Sequence, residues 1–207
     1  LRTPLNAIIG FSQLLEMEKE DLTEEQHLSV TQIHQGGHHL LKLVNEVLDL
    51  ARIEAGKLTI SVESIDPIKV LDSGITLIKG MAASRQITVN HETGDCPDVL
   101  IHADNTRVKQ ILLNLLSNAV KYNRVGGSLT LSAAMSGSNT LRISVRDTGI
   151  GIPAHRHGEV FQAFSRLSAE NSEIEGTGIG LTIAQRLVSM MGGELDFESV
   201  EGEGSTF

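Results

Sequence analysis

The segment NLLSNAVKYN, residues 114–123, sets two asparagines one helical turn apart and follows them with a lysine and a tyrosine. Asparagine is a poor helix former, because its amide competes for backbone hydrogen bonds. Surface helices prefer Glu, Lys or Gln, so something other than propensity asks for those amides. At the helical period Asn114, Asn118, Lys121 and Tyr122 fall within roughly a 100° arc. Leu112, Leu115, Leu116, Ala119 and Val120 cover much of the other side. Amide oxygens are hard ligands suited to Mg²⁺, an ion that keeps several waters and leans on substrate phosphates. The lysine suits phosphate oxygens as a mobile point charge, and the tyrosine ring offers a face to a base. A plain solvated face would use the same residues.

Three glycine-bearing segments bear on that choice. In RDTGIGIP, Leu141, Ile143, Val145 and Asp147 share one strand parity, so the carboxylate points where the apolar residues point. A carboxylate directed inward is costly without donors, and the exocyclic amine of adenine is one such donor. Gly149 and Gly151 would let the backbone approach a flat ring closely; an Asp-Thr-Gly turn at a strand end is the structural alternative. GTGIGL, residues 176–181, puts three glycines before a helix, where free N–H groups favour phosphate. It fits neither a dinucleotide fingerprint nor a P-loop. GEGSTF, residues 202–207, would pass alone for a hairpin turn.

The elements that must position these residues fall into two parts. Leu1, Leu5, Ile8, Ser12 and Leu15 form one 4-3 stripe of a bundle helix. Thr23 with Gln26 is a capping-box start for a second helix, in which Val30, Ile33, Gly37, Leu40, Val44, Val47 and Ala51 repeat the spacing up to a glycine stop at Gly56. A two-helix hairpin with two apolar stripes is completed by a second copy, giving a four-helix bundle; packing of both stripes on the rest of the chain is the alternative. The period then changes. KLTISVES, residues 57–64, alternates as a half-buried strand. Asp66-Pro67 reads as an N-cap and first helical residue of a helix to about Ser84. Short strands are expected near 86–91 and 98–102, and the asparagine helix over about 105–122. GGSLTLSAAM and TLRISVRD make a hairpin, helices follow Pro153 and Gly178, and GELDFES is a late strand. The expected fold is α+β: residues 1–60 a helical hairpin, residues 61–207 an α/β sandwich with a mixed sheet and helices on one face.

The chain of 207 residues is 40% hydrophobic but only 3% aromatic, so its core must be aliphatic, and its formal charge of −9 argues against a non-specific nucleic-acid binder or a basic membrane-surface protein. Cys96, the single cysteine, cannot form an internal disulfide, which fits a reducing cytoplasmic setting. No apolar run approaches the length of a spanning helix. The first residues look like the middle of a helix, so the sequence reads as an excised fragment, with room upstream for a sensor or membrane anchor.

Taken in order, these segments resemble the sensor histidine kinases of two-component signalling. LRTPLNAIIGF resembles the tail of the H box, VLDLARIEAGKL the end of the second dimerisation helix, and NLLSNAVKYN the N box. DTGIGIP resembles the G1 box, VFQAFSR the F box and GTGIGL the G2 box, with GEGSTF after them. The resemblance implies a homodimerising, histidine-phosphotransfer hairpin followed by an ATP-binding domain of the GHKL type, with a receiver domain as partner. It implies that Asn118 holds Mg²⁺ with Asn114 assisting, that Lys121 contacts phosphate and that Tyr122 lines the nucleotide. Asp147 would bind the adenine amine, with Gly149, Gly151 and Ile152 shaping the pocket. Phe161 and Phe164 would anchor a lid over roughly 165–177, from which Arg166 could reach the phosphates. Gly176, Thr177, Gly178, Gly180 and Leu181 would form the lid hinge and phosphate-facing helix start, and Thr206 would support the base. The family's acceptor histidine falls two positions ahead of Leu1. Thr3, one turn after it, is the position that similar kinases use to orient water when dephosphorylating their partner. GHKL hydrolases carry a glutamate at the position of Asn114, an amide that cannot act as a base, so phosphotransfer is favoured over hydrolysis. A non-catalytic dimeric scaffold and a bare nucleotide-binding module are the competing readings.

Overall fold

A computed structural model describes residues 2–17, 22–92, 99–137, 139–165 and 176–207. The chain divides into two compact units, Leu1–Leu58 and Thr59–Phe207.

The first unit is a hairpin of two helices, α1 (Arg2–Met17) and α2 (Glu24–Glu54). The start of α2 is fixed as the sequence suggests: the Thr23 hydroxyl accepts from the Gln26 N–H at 3.2 Å while the Gln26 side chain accepts from the Thr23 N–H at 2.9 Å. Its end is a Schellman turn. Gly56, at φ 63°, donates to the Ile53 carbonyl, and the Lys57 N–H reaches that of Arg52. The seam differs from the expected stripes. Leu5, Ile9 and Ser12 of α1 are buried with Val30, Gly37 and Leu50 of α2, whereas Ile8, Leu15, Ile33, Leu40 and Val47 stay exposed. Within the hairpin only part of each stripe meets the partner helix, which leaves the rest for a second copy. Ser12 is tolerated in the seam because its hydroxyl donates to the Ile9 carbonyl at 2.9 Å.

The second unit begins with β1 (Glu63–Ile65) and α3 (Pro67–Ser84), then β2 (Thr88–Glu92), β3 (Ile101–Ala103) and α4 (Asn105–Lys121). The hairpin β4 (Ser128–Met135) and β5 (Leu141–Asp147) follows, then a 3-10 turn at Ala154–Glu159, α5 (Gly180–Met190), β6 (Glu198–Val200) and β7 (Gly204–Thr206). The main sheet runs β2-β4-β5-β7-β6; β2 and β4 are parallel and the other pairs antiparallel. A separate antiparallel ribbon pairs β1 with β3. Leu129, Leu131 and Ala133 of β4 and Val145 of β5 form the sheet's share of the core. Against them stand Leu71 and Ile78 of α3, Leu115, Leu116 and Val120 of α4, and Ile183 and Leu187 of α5. The class is α+β, and the sheet is mixed as expected.

Three elements depart from the sequence reading. The strand expected over 57–64 shrinks to Glu63–Ile65, because the Ser61 N–H donates to the Asp104 carboxylate at 3.0 Å instead of to a neighbouring strand. The helix expected after Pro153 is only a 3-10 turn. The late strand is reduced to Glu198–Val200: the Phe197 N–H donates to Asp196 Oδ1 at 2.7 Å, a local bond that breaks the ladder. The Phe197 ring instead stacks on Phe207 and meets Phe161 edge-on.

Candidate functional site

The asparagine helix α4 is held rigidly at both ends. At its start Asp104, almost fully buried, accepts from the Arg107 N–H at 3.1 Å as the N-cap and from Ser61 as well. These donors, the Ser61 N–H foremost, hold the Asp104 carboxyl below its ordinary value. At its end the Arg85 guanidinium donates to the carbonyls of Val120, at 2.8 Å, and Lys121. A cation on otherwise orphan C-terminal carbonyls satisfies them and complements the helix dipole. The aliphatic back of α4 is buried, and Asn114, Asn118, Lys121 and Tyr122 are half-buried along the front.

Asp147 points into the molecule as its strand parity requires: Val145 and Asp147 are buried, Arg146 is exposed. Its Oδ1 accepts from the Gly149 N–H at 2.8 Å. Burial pushes the carboxyl above its ordinary value, partly offset by the N–H groups of Gly149 and Ser205. The register pairs Asp147 with Ser205 and Arg146 with Thr206. Cross-strand partners share a face, so Thr206 lies on the side opposite Asp147. Ser205, buried and bonded to Ser199 at 2.9 Å, is the residue of GEGSTF that stands beside the carboxylate.

The glycines also have a structural reason within the chain itself. A Cβ on Gly149 would strike the Tyr122 carbonyl and the Asp147 carboxylate; one on Gly151, at φ 65°, would strike the Val200 carbonyl; one on Gly204 would strike the Asp147 carbonyl. Each admits another part of this chain. Together they lock the turn after β5 against the end of α4 and the β6–β7 turn. The Ile150 N–H donates to the Tyr122 carbonyl at 3.0 Å, and the Ile152 N–H donates to Ser199 Oγ at 2.8 Å.

The start of α5 closes on α4. Gly180 packs on the Asn114 amide, so closely that any Cβ there would overlap Oδ1, and Asn114 Nδ2 is buried without a hydrogen-bond partner. Thr177 Oγ1 accepts from the Ile179 N–H at 3.2 Å, and Leu181 is half-buried in the first turn. Gly178, at φ 69°, accepts from the Phe164 N–H at 2.8 Å, and Gly176 lies beside the Tyr122 hydroxyl. Phe161 joins the Phe197 cluster, but the Phe164 ring is 65% exposed and its backbone makes the bond to Gly178. Arg166, and most of the expected lid, lie outside the described residues. Thr3 is exposed on α1, in the first unit.

The structure therefore brings the polar front of α4, the Asp147 carboxylate and the start of α5 into one region of the second unit. Sequence reasoning missed Asn123 and Thr148, which tie the end of α4 to the hairpin. Asn123 Nδ2 donates to the Ser128 carbonyl at 2.9 Å, and Thr148 Oγ1 accepts from the Ser128 N–H at 2.8 Å. Asn123 ends the NLLSNAVKYN segment, and its near-total burial separates it from the two asparagines before it.

Comparison with known proteins decides the family. Residues 1–56 match the His Kinase A (phospho-acceptor) domain, and residues 103–207 match the family described as histidine kinase-, DNA gyrase B-, and HSP90-like ATPase. The chain belongs to the sensor histidine kinases. It is 40% identical over 215 residues to the signal transduction histidine-protein kinase BarA of Escherichia coli K12, and 38% identical over 211 residues to the circadian input-output histidine kinase CikA of Synechococcus elongatus. Both matches take in all of this chain, but 23% and 28% of those proteins. A solved structure of full-length ShkA in complex with AMPPNP superposes with a TM-score of 0.83 at 35% identity, over all of this chain and 42% of that one. The chain thus spans about a quarter of the length of the curated relatives it matches. Among the described residues of this kinase core, no helix is long and apolar enough to cross a membrane.

Proposed function

We propose that this kinase core binds Mg²⁺-ATP in its second unit and transfers the γ-phosphoryl group to a histidine nitrogen two positions ahead of Leu1. The phosphoryl group then passes to an aspartate on a receiver domain. In the first step the bond from the γ-phosphorus to the bridging oxygen breaks, a nitrogen–phosphorus bond forms, ADP leaves, and the imidazole gives up a proton. What supports the reading is the convergence of the α4 front on a buried carboxylate, in a chain that matches an ATPase family and a solved structure in complex with AMPPNP.

The residues fit a magnesium-bound nucleotide with one revision. Asn118 supplies a half-buried amide on the polar front and is assigned to the metal. Asn114 is walled in by Gly180 and its Nδ2 is sealed from solvent, so it positions the start of α5 and is not assigned as a ligand. A bound Mg²⁺ supplies neutralisation of phosphate charge. Lys121 contacts phosphate, Tyr122 flanks the nucleotide, and the Asp147 carboxylate selects the adenine amine with Ser205 beside it. The α5 start from Gly176 to Leu181 presents N–H groups to phosphate. Little covalent chemistry is asked of these groups; they position and neutralise. Thr3 is assigned to orienting water when the partner is dephosphorylated, and the hairpin is assigned to homodimerisation.

The test is a chain extended upstream to include the histidine. With radiolabelled ATP, Asn118→Ala should abolish phosphohistidine formation while the parent is labelled. Labelling of the variant at the parent's rate would refute the metal assignment. In the same chain, undiminished partner dephosphorylation by Thr3→Ala would remove Thr3 from the mechanism.

A further inference from the structure

A second cluster of chemistry-bearing side chains lies in the helical hairpin, apart from the nucleotide region. His34 and His38 are one turn apart on α2, and their Nε2 atoms face each other at 3.1 Å. The rings meet edge-on with centroids 4.7 Å apart. On its other side His34 Nδ1 lies 3.4 Å from the Glu16 carboxylate of α1. With Nδ1–H directed at Glu16, His34 presents the lone pair of Nε2 toward His38. A carboxylate behind an imidazole, fixing its tautomer and raising the basicity of the other nitrogen, is the usual outer support of a metal-ligating histidine. The nearest cation along the helix, Lys42, is turned to Glu46 at 3.7 Å and does not compete. His34 is partly shielded and His38 is exposed, so an ion can enter from solvent.

We propose that His34 and His38 chelate a late first-row divalent metal ion, copper(II) or nickel(II), with Glu16 as the support of His34. The distance lets one ion span both nitrogens, and imidazole ligation suits copper and nickel. Two nitrogens 3.1 Å apart, each about 2.0–2.1 Å from an ion, subtend roughly 95–100°. That is the angle between adjacent ligands of a tetragonal site, the geometry of copper(II) and nickel(II) with nitrogen and oxygen donors. Among the described residues no three histidine, cysteine, aspartate or glutamate side chains are grouped to hold a metal, so water completes the coordination. Binding replaces the His38 Nε2–H···Nε2 hydrogen bond with two metal–nitrogen bonds; His38 stays neutral by changing tautomer, Nε2 giving its proton to water while Nδ1 takes one up, with no net proton released. Because Glu16 is on α1, the ion also tightens the contact between the two helices.

The test is titration of the 207-residue chain, free of nucleotide, with nickel(II) and copper(II) by calorimetry, and electron paramagnetic resonance of the copper form. One ion per chain is expected, with coupling to two imidazole nitrogens. His34→Gln and His38→Gln should each weaken binding by at least about tenfold, and Glu16→Gln by about tenfold, the usual cost of losing an outer support. His91→Gln, on the surface of the other unit, should leave it unchanged. Circular dichroism confirms that each variant is folded; His38→Gln, at an exposed position, carries the test should His34→Gln unfold. Titrations of His34→Gln and His38→Gln that superpose on the parent's, or a copper spectrum with a single nitrogen, would overturn the proposal.

Discussion

Asp147 is the residue at which stability and function pull apart. Its burial raises the carboxyl above the ordinary value, so the folded chain holds that proton more tightly than the unfolded one. The sign follows: between the ordinary carboxylate value and the raised one, stability falls as pH rises. Asp147→Asn removes that dependence, so its melting temperature should gain on the parent's as pH climbs through this window. A parallel pair of profiles would show that burial does not raise this carboxyl. The same substitution exchanges an acceptor for a group that is half donor, and should erase the preference for ATP over GTP in a binding titration. Equal affinities in the parent would count against Asp147 as the adenine-reading group. Gly151 makes a purely structural prediction. With φ at 65° and the Val200 carbonyl standing where a Cβ would go, Gly151→Ala should cost at least about 1–3 kcal/mol, read from denaturant midpoints.

At the scale of elements, α4 works because both ends are tied to distant chain segments. Asp104→Ala removes an N-cap that also holds Ser61, and should cost about 1–2 kcal/mol at neutral pH. The depressed pKa sets the dependence: the contribution is present above the ordinary carboxylate value and lost as pH falls through the depressed one. The gap between parent and variant should therefore close in acid, and a gap that stays constant there would assign the loss to packing. These ties also mark what the sequence could show. The α4 face, the capping box of α2, the Asp66-Pro67 start of α3 and the parity of Asp147 are local patterns, and a period or a cap residue reveals each. The hold of Arg85 on the end of α4 spans 35 residues and has no local signature. The glycines were visible, but whether a missing Cβ admits a ligand or the chain's own carbonyls depends on what packs there. Likewise the face of Thr206 depended on a register with β5 that six residues of sequence do not fix.

For the molecule as a whole, the hairpin is the unfinished part. Each helix spends one strip of its surface on the other helix, and each has a second strip left over. Phe11 and Leu14 of α1 are 68% and 58% exposed, and Ile33, Leu40 and Val47 of α2 are 53%, 48% and 44% exposed. Isolated exposed apolar residues need no explanation, but this many along one two-helix unit form a surface of the kind that marks association. A second hairpin presenting the same strip would bury both, and a two-fold axis makes such a surface complementary to itself. Sedimentation of the parent should therefore report a dimer at micromolar concentration. Leu40→Glu adds a charge in the middle of that strip, at a position where the hairpin itself buries little. Desolvating an unpaired carboxylate costs several kcal/mol, so the variant should sediment as a monomer with its helix content intact by circular dichroism. A folded variant that remains dimeric would place the association surface elsewhere. With the acceptor histidine restored upstream, the monomer also separates two effects. Retained ATP affinity with lost phosphohistidine would assign the hairpin pairing to presentation of the acceptor, and would leave the nucleotide region independent of it.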